Sequence, residues 1–456
     1  MKLLSLFNDK TFFKSMFTLA IPIALQNLIL SSLNLVDTII IGGLGENAIA
    51  GVGLANQYFF LLNLVLFGIV SGSSIFTAQY WGNKDIKNIK RVLGICLISG
   101  ISVALLFSIG GLFFPRQILN IFTKDSTVIE LGSEYLRIIV FSYIITSITF
   151  SYSFILRSTG QVKAPMIVSI IALVINTLLN YMLVYGYFNM PKMGVRGSAL
   201  ATVIARTIEV TFLLLLVYKK KFVVAAKPKE LFDLSAKFIS KFFKITAPVI
   251  LNESIWALGV SMYAVVYARM GTQVIAATNI SATIERITWV IFMGFGNACA
   301  VMIGNKIGEG NKEEAFIYAK RFIILGPFFA IFAGIIVIFS SPFLLSAYKV
   351  SPTVNNYVSK ILVVFACFLW VKVFNFTSIV GILRSGGDTK FCLLLDIGGV
   401  WLVGVPLVVL GGLVFHLSIE WVYFLVYLEE VFKFIIGLPR ILSKKWINNL
   451  VTHSCI

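Results

Sequence analysis

Charged residues are scarce in this sequence: they make up 13% of its 456 positions, and only 20 of them are acidic. Hydrophobic residues account for 58%, and the mean hydropathy is +0.93. A helix that crosses a membrane needs ~20 mostly apolar residues, so this composition has room for roughly a dozen spans and little else. The scarcity of charge therefore excludes a soluble globular protein and a large extramembrane domain.

Residues typical of catalytic and metal centres are also few. The sequence has two histidines, and it contains no recognisable Ser-His-Asp set, metal-ligand helix or phosphate-binding Gly-Lys-Ser/Thr loop. Its cysteines have no paired spacing, which favours reduced packing residues at Cys96, Cys299, Cys367, Cys392 and Cys455. We therefore predict that the chain is not an enzyme, uses no cofactor and is not driven by ATP.

Apolar runs predict twelve spanning helices, and the basic residues predict their orientation. The runs lie near 15–43, 49–75, 92–114, 131–155, 164–188, 195–218, 245–269, 275–303, 316–340, 355–382, 391–414 and 419–439. If both termini share one side, 27 of the 38 Lys and Arg residues fall on that side, and basic residues collect in cytoplasmic loops. The net charge of +18 thus indicates a multi-pass plasma-membrane protein with both termini in the cytoplasm, not nucleic-acid binding.

The two halves of the chain resemble each other. Pro22 falls on Pro248 at a shift of 226 residues, and at a shift of 227 the sequence Ile-Leu-Arg-Ser at 155–158 repeats at 382–385. Six helices per half is an even number, so the all-α fold is predicted to consist of two parallel six-helix repeats. The predicted organisation is a cytoplasmic N-terminal segment (1–14), an N-lobe (15–218), a basic cytoplasmic linker (219–244), a C-lobe (245–440) and a cytoplasmic tail (441–456).

Polar residues inside the spans are functional candidates, because a charge at the bilayer centre costs ~3 kcal/mol. Asp37 lies in the first helix, Asn176 and Asn180 share one face of the fifth, and Thr202 lies on the sixth. Hard cations prefer oxygen ligands, so this set can hold Na⁺, or Asp37 can carry a proton. The alternative is that Asp37 is a structural acid and that the asparagines only join helices.

A second candidate set lies in the seventh and eighth helices. Glu253 with Trp256, Tyr263 and Trp289 can bind a lipophilic cation through its charge and through ring faces. For each aromatic residue, the alternative is packing or a position at the membrane interface. The other intramembrane charges are interpreted mainly as structural: Arg206 with Glu209, Glu285 with Arg286, Asp396 with a basic residue such as Lys372, and Glu429 and Glu430 near Lys433.

Several motifs resemble those of the bacterial branch of the multidrug and toxic compound extrusion (MATE) family. They are Pro22, Asn34–Asp37, Gly42–Gly45, Ala78–Gly82, Gly194–Thr202, the duplicated Leu-Arg-Ser-x-Gly blocks, Gly386–Asp388, Trp401, Pro406, Glu429–Glu430 and Ser443–Trp446. The resemblance covers about residues 14–447 and implies a V-shaped pair of six-helix lobes that expels organic, often cationic, compounds in exchange for Na⁺ or H⁺.

The same resemblance assigns roles to individual residues. It implies that Asp37, Asn176 and Thr202 belong to a cation site of the N-lobe, and that Glu253 matches a helix-seven glutamate of several branches. Two departures leave the coupling ion open. Asn180 stands where some relatives carry a second acid, and Val373, Phe374 and Asn375 occupy the region where NorM-like members carry an acid in helix ten.

Together these features predict a monomeric antiporter that exports small organic substrates through alternating access of its two lobes. Pro22 removes a backbone hydrogen bond of the first helix and would let that helix bend with occupancy of the ion site. Two alternatives stay open. The first is a lipid-linked sugar flippase of the same broad superfamily, which should have a more cationic cleft, and the second is a passive channel or scaffold.

Overall fold

The computed structural model describes residues 9–346, 348 and 350–451, the side chain of Asn34 excepted. The predicted terminal segments 1–14 and 441–456 lie partly outside these residues, and Cys455 lies outside them. The four described cysteines are free thiols, of which Cys96, Cys299 and Cys392 are buried and Cys367 is exposed.

In the described residues the fold is all α-helical, built from twelve long helices. They are α1 (Lys10–Gly42), α2 (Glu46–Gly82), α3 (Ile86–Phe113), α4 (Ser126–Ile139 and Phe141–Ser158), α5 (Lys163–Tyr185), α6 (Val195–Lys219), α7 (Ala236–Met270), α8 (Thr272–Gly308), α9 (Lys312–Ser346), α10 (Pro352–Leu383), α11 (Thr389–Val414) and α12 (Ile419–Leu442). The first three, α5 to α11, and α4 with its two segments bent by 49° are each long and apolar enough to span a membrane. With its 24 residues α12 also has the required length, so the twelve-helix prediction is confirmed.

The helices extend beyond the apolar runs that predicted them. The clearest case is α7, which begins at Ala236 and thus includes residues 236–244 of the predicted linker. The apolar run ends where the lysines begin, so hydropathy alone places the start of the helix too late in the sequence. The helix itself includes these lysines, because their aliphatic stems can cover apolar surface while their ammonium groups reach outward. Phe242 fixes this extension by stacking on Phe76 at a ring-centroid distance of 5.7 Å.

One compact unit comprises Leu25–Thr77 and Asp85–Phe243. Its apolar core includes Leu62 and Leu66 of α2 and Leu136 and Tyr143 of α4, all of which are buried. In the same unit α6 packs closely on α5 at Gly197, where a Cβ atom would lie 2.6 Å from the carbonyl oxygen of Leu183. Close backbone approach at small residues is typical of helix packing in membranes.

Ion pairs join the linker to α3 within this unit. Lys90 Nζ lies 2.8 Å from Glu230 Oε1, and Arg91 Nη2 lies 2.6 Å from Asp233 Oδ2. The hydrogen bonds that Glu230 accepts from Lys90 and from the Lys227 backbone lower the pKa of its carboxyl. Part of the linker is therefore held against α3.

The other compact unit comprises Met1–Ala24, Ala78–Lys84 and Lys244–Ile456. Its core is formed by α10 residues such as Ile361 and Phe365 together with Val422 of α12. The start of α1 belongs to it, because Gly294 of α8 leaves room for the backbone and side chain of Ala24. Both α1 and α2 thus contribute residues to each compact unit.

Among the described residues of this second unit, three π-helical segments interrupt the α-helical hydrogen-bonding pattern. Thr377–Leu383 ends α10, and Gly398–Gly404 and Leu410–Val414 lie within α11. π-helical turns are rare and frequently occur at functional sites. One of these segments ends directly before Arg384, and another begins two residues after Asp396.

Candidate ion site and intramembrane polar networks

The predicted N-lobe candidates lie together on α1, α5 and α6. Asn180 Nδ2 donates to Asp37 Oδ1 at 2.5 Å, and Asn176 Nδ2 donates to Thr202 Oγ1 at 3.1 Å. The exposed fractions are 6% for Asp37, 0% for both asparagines and 8% for Thr202. Because Asn176 and Asn180 are four residues apart on one helix, the two hydrogen-bonded pairs lie on the same face of α5.

Several oxygen atoms of this group lack a partner. Asn176 Oδ1, Asn180 Oδ1 and Ser198 Oγ are buried and accept or donate no hydrogen bond among the described residues. Leaving a buried polar group unpaired costs about 1–3 kcal/mol, a cost that an ordered water or an ion can offset. One carboxylate, two amide oxygens and a hydroxyl form the oxygen-rich set that suits a hard monovalent cation or a proton.

Ser198 is a member of this group that the sequence did not single out. It lies one helical turn before Thr202, and Thr202 Oγ1 donates to the Ser198 carbonyl oxygen at 3.1 Å. Its i, i−4 spacing from Thr202 is the signal that could have identified it.

A contact between α5 and α1 lies one helical turn after Asp37. The Tyr185 hydroxyl donates to the Ile40 carbonyl oxygen at 2.6 Å, and Gly43 leaves the space that the Tyr185 ring occupies. Beside this contact lies an open surface hollow of about 310 Å³, formed by α1, α5 and Phe188, with exposed side chains such as Ile39 and Leu178 in its lining. Its lining is almost entirely apolar and includes Val36, directly before Asp37 in sequence.

A second polar network crosses the same unit. Arg157 Nη2 donates to Gln26 Oε1 at 2.7 Å, and Gln26 Nε2 donates to Ser169 Oγ at 3.2 Å. Ser169 Oγ in turn donates to Glu209 at 2.8 Å, and the Arg206 guanidinium also lies 2.8 Å from the Glu209 carboxylate. The predicted pair of Arg206 and Glu209 is therefore confirmed.

The other unit holds a longer chain of charges. Arg384 Nη1 forms an ion pair with Glu253 Oε1 at 2.7 Å, and Arg384 Nη2 donates to Asn252 Oδ1. Asn252 Nδ2 donates to Asp396 Oδ2 at 2.7 Å, and Lys433 Nζ lies 3.0 Å from the other oxygen of Asp396. The prediction that Asp396 pairs with a basic residue such as Lys372 is therefore wrong for Lys372, because Lys433 of α12 contacts Asp396 instead.

The network continues along α12. Lys433 Nζ lies 3.3 Å from Glu429 Oε1, and the Tyr263 hydroxyl donates to Glu429 Oε2. The neighbouring Glu430 accepts a hydrogen bond of 2.7 Å from Asn375 Nδ2. The sequence singles out Asn375 only because it lies in the region where NorM-like members carry an acid. In the structure its hydrogen bond to Glu430 joins α10 to α12.

Glu285 does not pair with Arg286, which was the expected partner. Its carboxylate accepts a hydrogen bond from Tyr423 and lies 3.6 Å from Lys372 Nζ, whereas Arg286 is exposed. Consecutive residues of a helix point in different directions, which is why the sequence neighbour is not the partner. Lys372 also lies over the ring of Trp289, with Nζ 5.2 Å from the ring centroid.

The four predicted cargo-binding residues make separate contacts. Glu253 pairs with Arg384, Tyr263 donates to Glu429, Trp289 packs against Lys372, and the Trp256 side chain is 40% exposed. Their assignment to one substrate site stays a prediction. The same holds for Pro22, which is buried within a helix that continues through it.

Twelve membrane-length helices, a repeated sequence block in each half and buried polar networks define a helical membrane transporter built by internal duplication. The MatE family model matches residues 22–182 and 248–410. The two matched segments begin at Pro22 and Pro248, the prolines that the internal repeat superposes. The chain belongs to the MatE family, as the motifs predicted.

Relatives of similar length cover nearly the whole chain. The probable multidrug resistance protein NorM of Thermotoga maritima is 24% identical over 95% of this chain and 93% of its own length. The uncharacterized transporter YisQ of Bacillus subtilis is 25% identical over 96% of both chains. These relatives are transporters and not enzymes.

Solved structures show the same fold. A MOP superfamily transporter from Pyrococcus furiosus is 19% identical, with a TM-score of 0.86, and the match covers 95% of this chain and 96% of that one. A multidrug resistance MATE family transporter in an outward-facing conformation matches with a TM-score of 0.85 over the same shares of both chains. The predicted MATE-like fold of duplicated six-helix halves is confirmed.

Proposed function

We propose that this chain is a secondary active antiporter that exports cationic or lipophilic organic compounds in exchange for Na⁺ or H⁺. One observation carries the proposal: Asp37, a buried carboxylate held by Asn180, lies in a group in which the amide oxygens of Asn176 and Asn180 accept no hydrogen bond from the described residues. The multidrug resistance names of the NorM relatives support the class of cargo.

The chemistry of this group can couple an ion to a change of conformation. An ionised carboxylate without a counter-charge is costly in a low-dielectric interior, so Asp37 favours either a bound cation or a proton. The amide oxygens of Asn176 and Asn180 can complete a Na⁺ shell, whereas a proton needs only the carboxylate itself. In both cases binding neutralises Asp37, and emptying the site favours an arrangement that solvates it.

Pro22 is the proposed mechanical link. The division of the chain into compact units falls after Ala24, so Pro22 and Asp37 lie on the same helix but in different units. A proline removes one hydrogen bond of the helix ladder, which makes a bend at this point inexpensive. We propose that the bend follows the occupancy of Asp37 and that it accompanies alternating access of the two units to the two sides of the membrane.

The proposed cargo site involves apolar and aromatic surface more than free charge. The Glu253 carboxylate is already paired with Arg384, so it can attract a cationic compound only if that pair opens. Trp256 is 40% exposed, and the apolar surface hollow lined by Val36 and Ile40 has a volume of about 310 Å³. Both features favour lipophilic compounds, whose ring systems also interact well with aromatic side chains.

Transport of ethidium into proteoliposomes that contain the purified chain tests the proposal, with Na⁺ and pH gradients imposed separately. The native chain should move the dye uphill with one of the two gradients, and Asp37→Asn should abolish the gradient dependence. Asp233→Asn is the matched control, because Asp233 lies in the linker and pairs with Arg91 outside the spans. Gradient-driven export by Asp37→Asn at native levels would overturn the proposal, and gradient-independent leakage by the native chain would favour a channel.

We also propose that the chain is a monomer in the plasma membrane with both termini in the cytoplasm. The orientation is based on the excess of basic residues in the loops on that side. Labelling of single cysteines introduced into a cysteine-free chain tests it in intact cells. Cysteine at the exposed position Lys124 should react with an impermeant reagent, and cysteine at Lys229 of the linker should not. The reverse pattern would contradict the orientation.

A further inference from the structure

The linker between α6 and α7 directs its two acids toward the protein. Glu230 and Asp233 are the acidic residues of positions 219–241, which also include seven lysines. Glu230 pairs with Lys90 at 2.8 Å and Asp233 with Arg91 at 2.6 Å, and both bases belong to α3. The negative charge of the linker is therefore neutralised by the neighbouring helix.

Most lysines of the linker have no such partner. Five of them are exposed and form no ion pair in the part of the chain that the structure describes: Lys219, Lys220, Lys221, Lys229 and Lys237. We call these five residues the basic surface. Because the acids of the linker are already paired with α3, the basic surface retains its positive charge.

Two contacts hold the linker in a fixed position. The Tyr218 hydroxyl donates to the Ala226 carbonyl oxygen at 2.9 Å, so the end of α6 lies beside the residues that precede the short helix Pro228–Leu231. A Cβ atom built on Gly94 of α3 would lie 1.9 Å from the Leu231 carbonyl oxygen, so the linker backbone packs directly on α3. The basic surface is thus part of the folded structure.

Large apolar side chains are exposed in the same segment. The exposed fraction is 68% for Phe232, 36% for Ile239 and 38% for Phe243. Lysines combined with exposed aromatic and aliphatic side chains are typical of segments that lie at a membrane interface, where the apolar groups contact lipid and the ammonium groups reach the phosphates. The composition of the linker therefore favours a lipid surface as its partner.

The basic surface begins where a spanning helix ends. The 25 residues of α6, Val195–Lys219, correspond to about 37 Å of helix, which is slightly more than the ~30 Å thickness of the hydrocarbon. Lys219 and the two lysines that follow it are therefore at the level of the lipid headgroups. Clusters of about four to eight basic residues in this position attract anionic lipids.

We propose that the basic surface binds the phosphate groups of anionic phospholipids in the adjacent leaflet, while Phe232 inserts among their acyl chains. This interaction goes beyond the proposed antiport and is independent of its cargo and its coupling ion. A leaflet presents many phosphates next to an apolar phase, which matches a surface that combines several lysines with an exposed phenylalanine. A lysine ammonium is a point charge that binds phosphate without demanding one geometry, so mobile headgroups suit it.

Lipid retention by the purified full chain tests the proposal. The chain is equilibrated in detergent with equal amounts of phosphatidylglycerol and phosphatidylcholine and purified again, and its retained lipids are quantified by mass spectrometry. The native chain should retain more phosphatidylglycerol than phosphatidylcholine. A lysine near an anionic surface strengthens the attraction about fivefold, so Lys219→Gln/Lys220→Gln/Lys221→Gln should lower the ratio of the two lipids by at least that factor.

A charge-matched control is present in the same compact unit. Arg116, Lys124 and Lys192 are exposed, form no ion pair among the described residues, and lie in connections at the opposite ends of α3 and α6. Their joint replacement by glutamine removes the same charge at a distance well beyond the Debye length of ~10 Å. The lipid ratio of this variant should therefore stay within about twofold of the native value.

Several outcomes would overturn the proposal. They are a native chain without lipid preference, a linker variant with the native ratio, and an equal loss in both triple variants, which would implicate net charge alone. Inorganic phosphate in excess, compared with chloride of equal ionic strength, should not displace the lipid, and full displacement would identify a site for free anions instead. Capture of a single-stranded oligonucleotide by a chain without lipid preference would identify a nucleic-acid surface.

A spin label at position 232 tests the insertion of the phenylalanine separately. Phe232→Cys in a cysteine-free chain, labelled with a nitroxide and placed in phosphatidylglycerol nanodiscs, should be relaxed more by oxygen, which concentrates in the membrane, than by a water-soluble nickel complex. A label introduced at the exposed loop residue Lys124 is the control and should show the reverse. The same accessibility at both positions would overturn the proposed insertion.

Discussion

Arg384 lies 2.7 Å from Glu253, and both side chains are enclosed within one compact unit, with exposed fractions of 4% and 14%. The helix-seven glutamate that the sequence offered as a cation receptor is therefore already neutralised by a base. That base belongs to the repeated Leu-Arg-Ser block. In the first half its counterpart Arg157 donates to Gln26, which the shift of 226 residues places on Asn252, the amide to which Arg384 also donates, so the ion pair with Glu253 is an additional contact of the second half.

Loss of the Arg384 side chain should destabilise the protein strongly. Breaking a buried ion pair from one side leaves an uncompensated charge and costs about 3–5 kcal/mol. We expect Arg384→Met to lower the unfolding temperature in detergent markedly, and the double variant Glu253→Gln/Arg384→Met to recover part of the loss. The control is Glu420→Gln, whose partner Lys360 is 45% exposed, and for which a change of about 0–1 kcal/mol is expected. Equal unfolding temperatures for Arg384→Met and the native chain would contradict the structural role of the pair.

Two threonines of α6 distinguish the ion site from the rest of the helix. Thr202 accepts a hydrogen bond from Asn176 inside the candidate site, whereas Thr207 is exposed and its hydroxyl donates to the Val203 carbonyl oxygen of its own helix, at 2.7 Å. Replacement of Thr202 by valine leaves the Asn176 amide without its partner, a cost of about 1–3 kcal/mol.

We therefore expect Thr202→Val to raise the concentration of coupling ion that gives half-maximal dye export by about tenfold, since 1.4 kcal/mol corresponds to that factor. Thr207→Val should leave it within about twofold. The measurement is the ion dependence of ethidium transport in proteoliposomes at matched protein content. Equal ion dependence in the two variants would exclude Thr202 from the site.

Gly404 should be intolerant of even a methyl group. A Cβ atom there would overlap the Tyr263 hydroxyl and a carboxylate oxygen of Glu429, whereas nothing lies within 4 Å of a Cβ atom built on Gly53 of α2. Overpacking in a tight interior costs typically about 1–3 kcal/mol, and alanine at an exposed helix position is favourable relative to glycine by about 1 kcal/mol. Gly404→Ala should thus lower the unfolding temperature, and Gly53→Ala should preserve or raise it. A drop for both variants alike would point to a general sensitivity of glycines and not to this contact.

The helices and their order could be predicted from the sequence because hydropathy is a local property. Each run of apolar residues long enough to span the bilayer must satisfy its own backbone hydrogen bonds, and a helix is how a single segment does so. The ends were less predictable, as α7 shows, because Phe242 packs in a stretch that lysines make hydrophilic. The Arg206–Glu209 pair was also predictable, since its i, i+3 spacing places both residues on one helix face.

Contacts between helices were the part that the sequence could not supply. Asp396 has one basic partner among its ion pairs, Lys433, and nothing in the spacing of α11 and α12 indicates which of their faces meet. For the same reason the sequence wrongly suggests Lys372 as the partner of Asp396, whereas Lys372 contacts Glu285. Helix rotation and tilt depend on packing against neighbours, so side-chain partners across helices require the three-dimensional structure.

Gln79 provides the last test, because it holds the end of the described chain. Its Nε2 atom donates to the carbonyl oxygens of Ser385 and Asn448 at 2.7 and 3.1 Å, and its Oε1 atom accepts from the Leu450 backbone at 2.7 Å. Gln79 is fully buried, so Gln79→Leu would remove all three hydrogen bonds, and the loss of the bond to buried Ser385 alone would cost about 1–3 kcal/mol.

We expect hydrogen exchange at residues 446–451 to accelerate by about tenfold or more in Gln79→Leu, since this segment would open at a lower free energy. Gln273→Leu is the matched control, because Gln273 is exposed in the first turn of α8. Its exchange in the same segment should equal that of the native chain. Unchanged protection in Gln79→Leu would show that the segment is held mainly by its other contacts, such as those of Asn448 with Gly386 and of Asn449 with Ile307.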